Sequence, residues 1–201
     1  MPRTTDHDQR RAEIADALIS VAGREGLHAV SMRSVAAEAG VSLRLVQYYF
    51  QSKAQLMHGA LLRLERLSHE RWASRLAALP DPPSARAYVE ALLDEALPTD
   101  PPSRTFHLVW TSYAVLAMSD PELAAQPFVE GPKRLERQVA AVLKRAQAEG
   151  EIAALLDPDI EAAHLLALCH GLGTGVLVGQ QTPASAAQVL RHHLDRLFCS
   201  Q

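Results

Sequence analysis

The sequence is poor in cysteine and in aromatic residues. Cys169 and Cys199 are the only cysteines among 201 residues, and neither belongs to a Cys-x-x-Cys pair. This pattern does not support a structural zinc site or a redox motif. Aromatic residues make up only 5% of the chain, whereas hydrophobic residues make up 48% and Ala and Leu are abundant. Because Ala and Leu are strong helix formers, the composition favours an all-α fold.

The sequence also lacks a long apolar run. The N-terminal segment MPRTTDHDQRR has no apolar core, so we do not expect it to be a signal peptide. The longest apolar stretch, residues 162–179, contains two histidines and several glycines and is shorter than the ~20 residues of a membrane span. We therefore expect a cytoplasmic protein with no membrane partner.

An excess of positive charge is absent as well, since the formal net charge is −3. This value at first argues against binding to nucleic acid. The charge is unevenly distributed, however: residues 1–80 hold 11 Lys and Arg against 8 Asp and Glu, and residues 81–201 hold 9 against 15. The basic N-terminal part can approach phosphate groups while the acidic remainder stays away from them.

The spacing of apolar residues and the positions of Gly and Pro predict about nine helices, preceded by a loose polar arm over residues 1–9. The predicted helices cover residues 10–25, 31–39, 42–49, 52–79, 84–97, 103–119, 122–149, 158–179 and 183–198. Pro80, Pro82 and Pro83 mark the sharpest break in the chain. No segment has a convincing strand pattern, so the fold class is predicted to be all-α.

Residues 31–50 contain two short helical segments joined by a Gly-Val turn. Ser31 and Ser42 can each cap a helix, because a side-chain oxygen can accept an unpaired backbone N–H. Gly40 tolerates the positive φ that often ends a helix, and Val41 is expected to be a buried hinge. These features indicate a helix-turn-helix, whose projecting third helix fits the major groove of DNA. The alternative is an ordinary helical hairpin with a solvated face.

The third helix carries side chains that are suited to reading DNA. Val46 and Phe50 are expected to face inward. The residues left facing outward are Ser42, Leu43, Arg44, Gln47 and Tyr48. Arginine reads guanine and glutamine reads adenine through bidentate hydrogen bonds. Ser42, Tyr48 and Lys53 suit phosphate contacts, which position a helix without reading the sequence.

An ordered set of residues within 10–57 resembles the DNA-binding domain of the TetR (tetracycline repressor) family of bacterial regulators. The set comprises Ile14 to Ala22, Gly26-Leu27, Ser31, Val35-Ala36, Ala39-Gly40-Val41-Ser42, Tyr48-Tyr49-Phe50, Ser52-Lys53 and Leu56. The resemblance implies a helix-turn-helix domain over residues 1–55. It also implies a ligand-binding and dimerisation domain over residues 56–201.

The resemblance further implies a homodimeric, ligand-responsive repressor, neither an enzyme nor a cofactor protein, that binds a palindromic operator in double-stranded DNA. It implies phosphate contacts at Ser31, Ser42, Tyr48 and Lys53 and base contacts mainly from Leu43, Arg44 and Gln47. Arg33 completes the predicted set of DNA-binding residues. Family members often have a small residue at the position of Arg44 and a tyrosine at that of Gln47. The operator sequence therefore cannot be inferred from a relative.

The eighth predicted helix carries a stripe of very small side chains, which recur every four residues at Ala163, Ala167, Gly171, Gly175 and Gly179. Such a stripe lets another backbone approach closely. The last predicted helix offers an apolar face. Two such helices from each subunit predict an isologous four-helix interface, and the alternative is packing of the stripe within one chain. The predicted interface residues are Ala167, Gly171, Gly175, Val189, Leu190, Leu194 and Leu197.

A second stripe, Phe106, Trp110, Tyr113 and Ala117, lies at helical spacing in the sixth predicted helix. The simplest interpretation is a core face, and the alternative is the wall of an apolar ligand pocket. Further pocket candidates are Trp72, Tyr88, Leu92, His107, Phe128 and His170. Because few charges occupy these inward stripes, the sequence favours a small, uncharged or weakly polar effector.

Two histidine-containing segments carry side chains that can bind metal ions. Glu161-Ala-Ala-His164 has a spacing found in di-iron bundles, but such sites need two copies and further glutamates. A single copy favours a solvated turn, and the pair His192-His193 is interpreted as surface. No metal site is predicted. A helical small-molecule-binding or di-metal enzyme with an incidental hairpin stays open as the alternative.

Overall fold

In the computed structural model, which describes residues 3–198, the chain forms ten α-helices and no β-strand. The helices are α1 (Arg3–Glu25), α2 (Met32–Glu38), α3 (Leu43–Tyr49), α4 (Lys53–Leu76), α5 (Ala85–Glu95), α6 (Pro101–Ala117), α7 (Pro121–Ala124), α8 (Glu130–Ala148), α9 (Pro158–Leu177) and α10 (Pro183–Phe198). A short 3-10 helix, Leu27–Ala29, precedes α2. The all-α fold predicted from the sequence is confirmed.

The chain divides into two compact units. The first unit contains the described residues up to Leu67 together with Leu108–Phe128, and the second contains Ser68–His107 together with residues 129–198. Helices α4 and α6 each contribute residues to both units. This division does not test the predicted functional boundary at residue 55, which stays a prediction.

The core of the first unit forms where α2 packs against α1 and α3. Val35 of α2 and Val46 of α3 are fully buried, as are Ile14 and Leu18 of α1. A bidentate ion pair joins α4 to α1, in which Arg63 donates to both carboxylate oxygens of Asp16 at 2.8 and 2.9 Å. The short helices α2 and α3 are therefore held by the longer helices around them.

The core of the second unit is formed by α5, α8, α9 and α10, which pack against one another. Its buried residues include Val89, Leu93, Val139, Leu143, Ala162, Leu165, Leu190 and Leu194. Cys169 is also buried in this cluster, and burial raises the pKa of its thiol to about 12. The thiol is therefore protonated and unreactive at neutral pH. Cys199 lies outside the described residues.

Two predicted elements were wrong. The loose arm over residues 1–9 is helical from Arg3 onward, as the first turns of α1. The single helix predicted over 122–149 is divided into α7 and α8. Pro127 lies in the break, since proline lacks the backbone N–H that a continuing helix needs and disfavours the helical conformation of the residue before it.

Helix α9 is long and apolar enough, by length and composition, to cross a membrane, and it is the only such helix in the part of the chain that the structure describes. Its buried side packs against α8 and α10 in the core of the second unit. The core helix of a soluble protein passes the same test of length and hydropathy. The helix is therefore weak evidence for a membrane span.

Candidate nucleic-acid interface

Helix α2 begins with a reciprocal cap. The Ser31 Oγ accepts a hydrogen bond from the Ser34 N–H at 3.0 Å, and the Ser34 Oγ accepts one from the Ser31 N–H at 2.9 Å. Helix α3 begins in a related way, because the Ser42 Oγ accepts from the Leu45 N–H at 3.2 Å. Both serine caps were predicted, and each satisfies a backbone donor that the helix leaves unpaired.

The turn between α2 and α3 depends on Gly40, whose φ is 63°. The Gly40 N–H donates to the Ala37 carbonyl at 3.2 Å, and the Val41 N–H donates to the Ala36 carbonyl at 3.0 Å. This pair of bonds is typical of a glycine that ends a helix in the left-handed region. A side chain at position 40 would be strained there, so the conformation of the turn depends on the glycine at this position.

The inner side of α3 rests on Phe50, which is fully buried. The Arg11 guanidinium lies 4.3 Å from the centre of the Phe50 ring and also donates a 2.8 Å hydrogen bond to the Tyr49 carbonyl. On the other side, a Cβ at Gly59 of α4 would lie only 2.5 Å from the Phe50 Cε1. The C-terminal end of α3 is therefore fixed by contacts with α1 and α4 that the sequence did not reveal.

The outer side of α3 presents Ser42, Arg44, Gln47 and Tyr48 to solvent, and Leu43 is partly exposed. Tyr48 is 70% exposed and packs edge to face against Tyr49, with ring centres 5.2 Å apart. Ser31, Arg33 and Lys53 are exposed beside the hairpin. All eight predicted DNA-binding residues are thus at least partly accessible. Whether they contact DNA stays a prediction.

The cationic side chains of this surface have no competing internal partner. Within residues 3–198, Arg33, Arg44 and Lys53 form neither a hydrogen bond nor an ion pair. In contrast, Arg24 is held by Glu38 at 2.8 Å, and Ser20 donates to the same carboxylate at 2.7 Å. Hydrogen bonds from Arg24 and Ser20 lower the pKa of Glu38 to about 2. The one acidic side chain of α2 is therefore neutralised locally.

Comparison with known proteins assigns this surface to a family. The profile described as bacterial regulatory proteins of the tetR family matches residues 14–60, and that of the C-terminal part of BetI-type transcriptional repressors matches residues 85–198. The HTH-type transcriptional regulator BetI of Burkholderia cenocepacia is 30% identical over 207 residues, with both chains fully covered. The chain belongs to the TetR family. It is a DNA-binding transcriptional regulator and not an enzyme, so the alternative of a helical enzyme is set aside.

Solved structures agree with this assignment. A protein described as a TetR-family transcriptional regulator from Rhodococcus sp. superposes with a TM-score of 0.84, covers 95% of this chain and 99% of its own, and shares 24% identity. A transcriptional regulator from Saccharomonospora viridis, solved in complex with choline, superposes with a TM-score of 0.77 at 26% identity. That comparison covers 94% of this chain and 95% of the other. The fold of this TetR-family chain is therefore shared along almost its whole length.

The predicted pocket residues of this TetR-family protein are divided between the two units. Trp72, Tyr88, Leu92, Phe106, His107 and His170 belong to the second unit, whereas Trp110, Tyr113 and Phe128 belong to the first. Tyr113 is fully buried and its hydroxyl donates to the Leu123 carbonyl at 3.1 Å. Leu92 lies in the buried cluster of the second unit. Tyr113 and Leu92 thus occupy core positions, and a ligand contact at any of the nine stays a prediction.

An aromatic pair joins α4 to α5 within the second unit. Trp72 and Tyr88 meet edge to face, with ring centres 5.5 Å apart, and the Tyr88 hydroxyl accepts a 2.7 Å hydrogen bond from Gln138 of α8. The Trp72 indole N–H is buried and has no hydrogen-bond partner. A buried donor without a partner is unfavourable, so this N–H is available to a bound molecule.

The buried carboxylate of Glu95 is already paired. It accepts hydrogen bonds from the Ser68 hydroxyl at 3.0 Å and from the Arg71 Nε at 2.9 Å, and the Arg75 Nε lies 3.4 Å from its second oxygen. These contacts tie α4 to α5. The Glu95 Oε2 is buried and accepts no hydrogen bond, but Arg71 and Arg75 already balance the charge of the carboxylate, so Glu95 is not free to neutralise a cationic ligand.

His107 is also buried in this unit, at 7% exposure. Burial is the main cause that lowers its pKa, to about 4, and a hydrogen bond with the Ala96 backbone opposes the shift only in part. Its Nε2 is buried without a partner, and a Cβ at Gly173 of α9 would lie 3.1 Å from its Nδ1. His107 is therefore a neutral imidazole at pH 7 with one unused nitrogen.

The predicted dimer residues divide into a buried and an exposed set, and a contact with a second protomer stays a prediction. Leu190, Leu194 and Leu197 are buried in the protomer's own core, because the apolar face of α10 packs inward. Gly175 is buried too, and a Cβ on it would lie 2.8 Å from the Gln181 side chain. The other three predicted residues, Ala167, Gly171 and Val189, are exposed.

Proposed function

We propose that this TetR-family regulator is a homodimeric repressor that reads a palindromic operator through α3. The observation that carries the proposal is the exposed pair Arg44 and Gln47 on a capped helix whose cationic neighbours have no internal partner. Arg44 is matched to guanine and Gln47 to adenine by their bidentate hydrogen-bonding geometry. Ser31, Ser42, Tyr48 and Lys53, with Arg33 beside them, would position α3 by contacts with phosphates.

Selection of bound sequences from a pool of random DNA tests this proposal. We expect an inverted repeat whose half-sites lie one helical turn, about 10 base pairs, or a multiple of it apart, as the two-fold symmetry of a dimer requires. Recovery of a single unrepeated site, or of no enriched sequence, would contradict the proposal. The genes beside the recovered sites would also indicate the biological effector.

The dimer is proposed to form through the exposed face of α9 and the adjoining face of α10. This α9 face carries Ile160, Ala163, Ala167 and Gly171, and Val178 continues it just past the end of the helix; Ile160 is 65% and Val178 71% exposed. Small side chains allow close approach of a second backbone, and large exposed apolar residues at its ends gain most from burial. Val189 extends the face onto α10.

The effector is proposed to be a small, weakly polar molecule without a full positive charge. The second unit offers a neutral His107, an indole N–H at Trp72 without a partner and a carboxylate, Glu95, that two arginines already occupy. Such a site favours hydrogen-bonding groups and apolar surface over a cation. The choline bound by the Saccharomonospora viridis protein is a useful contrast, because choline carries a permanent charge.

Choline and its neutral isostere 3,3-dimethylbutan-1-ol separate the two possibilities. Titration calorimetry with each compound, and release of the selected operator by each, would be compared under the same conditions. We expect the neutral alcohol to bind at least as tightly as choline. Tighter binding of choline would contradict a neutral effector and would direct attention to the aromatic faces of Trp72 and Tyr88, since aromatic rings attract quaternary ammonium groups.

Repression by this mechanism requires that the effector bind one conformation of the dimer better than the other. Helix α4 belongs to both units and is the continuous element between them along the chain. We propose that the effector acts through α4 and changes the spacing of the two recognition helices. A cytoplasmic location, where the operator DNA is found, follows from the proposal.

A further inference from the structure

Three potential metal ligands that are distant in sequence converge between α9 and α10. Glu161 and His164 lie one turn apart near the start of α9, and His193 approaches them from α10. One ligand atom from each side chain lies within 4.8 Å of those of the other two. In the sequence, Glu161-x-x-His164 and His192-His193 are two separate segments. The fold brings one residue of the second motif to the first.

The distances among the three side chains are those of an open ligand set. The Glu161 Oε2 lies 3.8 Å from the His164 Nδ1 and 3.7 Å from the His193 Nε2, and the two imidazole rings have centres 4.7 Å apart. Neither nitrogen is within hydrogen-bonding distance of the carboxylate. The His193 Nε2 is buried and has no hydrogen-bond partner. A bound cation would satisfy this nitrogen and the carboxylate together.

We propose that Glu161, His164 and His193 bind a divalent transition-metal ion of the zinc type, which ties α9 to α10. Two imidazoles and one carboxylate suit Zn²⁺, whereas Mg²⁺ and Ca²⁺ prefer ligand sets made of oxygen. Ligand atoms around tetrahedral Zn²⁺ are about 3.3 Å apart at the usual bond lengths, so small side-chain rotations close the site. His164 is exposed, which leaves the fourth position open to water.

The chain offers a matched control for this site. His192 is adjacent to His193 on α10 but is exposed and outside the cluster. The test uses the full-length protein without an affinity tag and ZnCl₂ as the only added metal. Titration calorimetry measures the Zn²⁺ affinity of the unaltered protein and of the variants His193→Asn, His164→Asn, Glu161→Gln and His192→Asn.

We expect the three cluster variants to lose affinity for Zn²⁺ and His192→Asn to retain it. Loss of a direct ligand should exceed the roughly 10–100-fold loss that follows removal of an outer-shell partner. Zn²⁺ should also raise the melting temperature of the unaltered protein and of His192→Asn, but not that of His193→Asn, since an ion that binds the folded state stabilises it. Melting without metal shows whether each variant folds.

Equal Zn²⁺ affinity in His193→Asn and His192→Asn would overturn the proposal, because it would place any bound ion on other histidines. Absence of a Zn²⁺-dependent melting shift in the unaltered protein would also overturn it. Replacement of Zn²⁺ by Co²⁺ supplies an independent readout: the visible d–d absorption of a tetrahedral Co²⁺ site should develop in the unaltered protein and not in His193→Asn.

Discussion

The two units of the protein differ in how many of their polar side chains are buried. In the first unit the serine, histidine and charged side chains lie partly or fully at the surface, whereas the hydroxyl of Tyr113 and the indole nitrogen of Trp110 are buried. In the second unit Glu95, Ser103 and His107 are buried. The first unit is therefore built as a rigid support, while the second contains internal groups whose state can be changed by a ligand or a proton.

The two units also differ in the polarity of their exposed helix faces. Helix α3 presents Arg44 and Gln47, which form hydrogen bonds, and α9 presents Ala167 and Gly171 between larger apolar residues. A polar, cationic face fits a polyanion whose base edges offer donors and acceptors. A face of small apolar side chains fits another protein surface. We therefore propose that the two exposed helices bind different kinds of partner because their side chains differ in chemistry.

The largest expected effect comes from placing a large side chain on the α9 face. A Cβ at Gly171 meets nothing within 4 Å in the protomer, so Gly171→Leu should leave the protomer folded and act only on a partner. Overpacking costs about 1–3 kcal/mol at each site, and a two-fold interface contains the site twice. Sedimentation should therefore show dissociation of the dimer, whereas Ala141→Leu on the exposed side of α8 should not. Equal sedimentation of the two variants would remove this face from the interface.

A second substitution tests whether the first unit is packed tightly enough to be a rigid support for α3. Gly59→Ala would place a Cβ 2.5 Å from the Phe50 ring, while a Cβ at Gly23 of α1 meets nothing within 4 Å. We expect Gly59→Ala to lower the free energy of unfolding by about 1–3 kcal/mol through overpacking. Gly23→Ala should raise it by up to about 1 kcal/mol because alanine is the better helix former. Urea unfolding measures both, and a stabilised Gly59→Ala would show a looser support behind α3.

The buried histidine of the second unit predicts a dependence of stability on pH. The unfolded chain binds a proton at His107 near pH 6.5, whereas the folded chain does so only near pH 4. His107 therefore does not lower the free energy of unfolding at pH values well above 6.5, but lowers it progressively as the pH drops toward 4. The loss from this group between pH 7 and pH 5 is about 2 kcal/mol.

The variant His107→Asn isolates that contribution. Urea unfolding at pH 7 and at pH 5 should show a smaller loss of stability for the variant than for the unaltered protein. Some dependence on pH should persist, because burial also lowers the pKa of His170 and of His58. An unchanged difference between the two pH values would mean that folding does not lower the pKa of His107.

The smallest expected effect concerns a phosphate contact. Lys53→Ala should weaken binding to all DNA sequences about equally and lower the salt dependence of binding by about one unit of slope. Arg66→Ala, which removes another exposed cation of α4, is the matched control. Binding measured across a salt series should separate the two variants. A change of sequence preference in Lys53→Ala would instead give this residue a role in base readout.

The features that the sequence predicted well are those with local causes. Ser31 and Ser42 cap helices through bonds that span three residues, and Gly40 adopts a positive φ because it ends a helix. The break in the segment predicted as one helix over 122–149 was less clear, since the apolar spacing continues on both sides of Pro127. Local chemistry thus determined the helix-turn-helix almost completely.

The features that the sequence missed depend on contacts between distant residues. The sequence predicts an apolar face on the last helix that is left for a partner subunit. Packing of α10 against α5 and α9 instead buries Leu190, Leu194 and Leu197 within the protomer. The approach of His193 to Glu161 joins positions 32 residues apart in sequence, and no spacing rule indicates it. Helical periodicity shows that a face is apolar, but not which neighbour covers it.

Arg44 is proposed to read a base, and the sequence preference of Arg44→Ala tests this role. The side chain of Arg104 in α6 is exposed and likewise forms no hydrogen bond or ion pair within the described residues, so Arg104→Ala supplies the control variant. Mobility-shift titrations would compare the selected operator with single-base variants of it. We expect Arg44→Ala to lose discrimination at one position in each half-site, by about 1–3 kcal/mol, and Arg104→Ala to keep it. An unchanged operator preference in Arg44→Ala would show that Arg44 does not read a base.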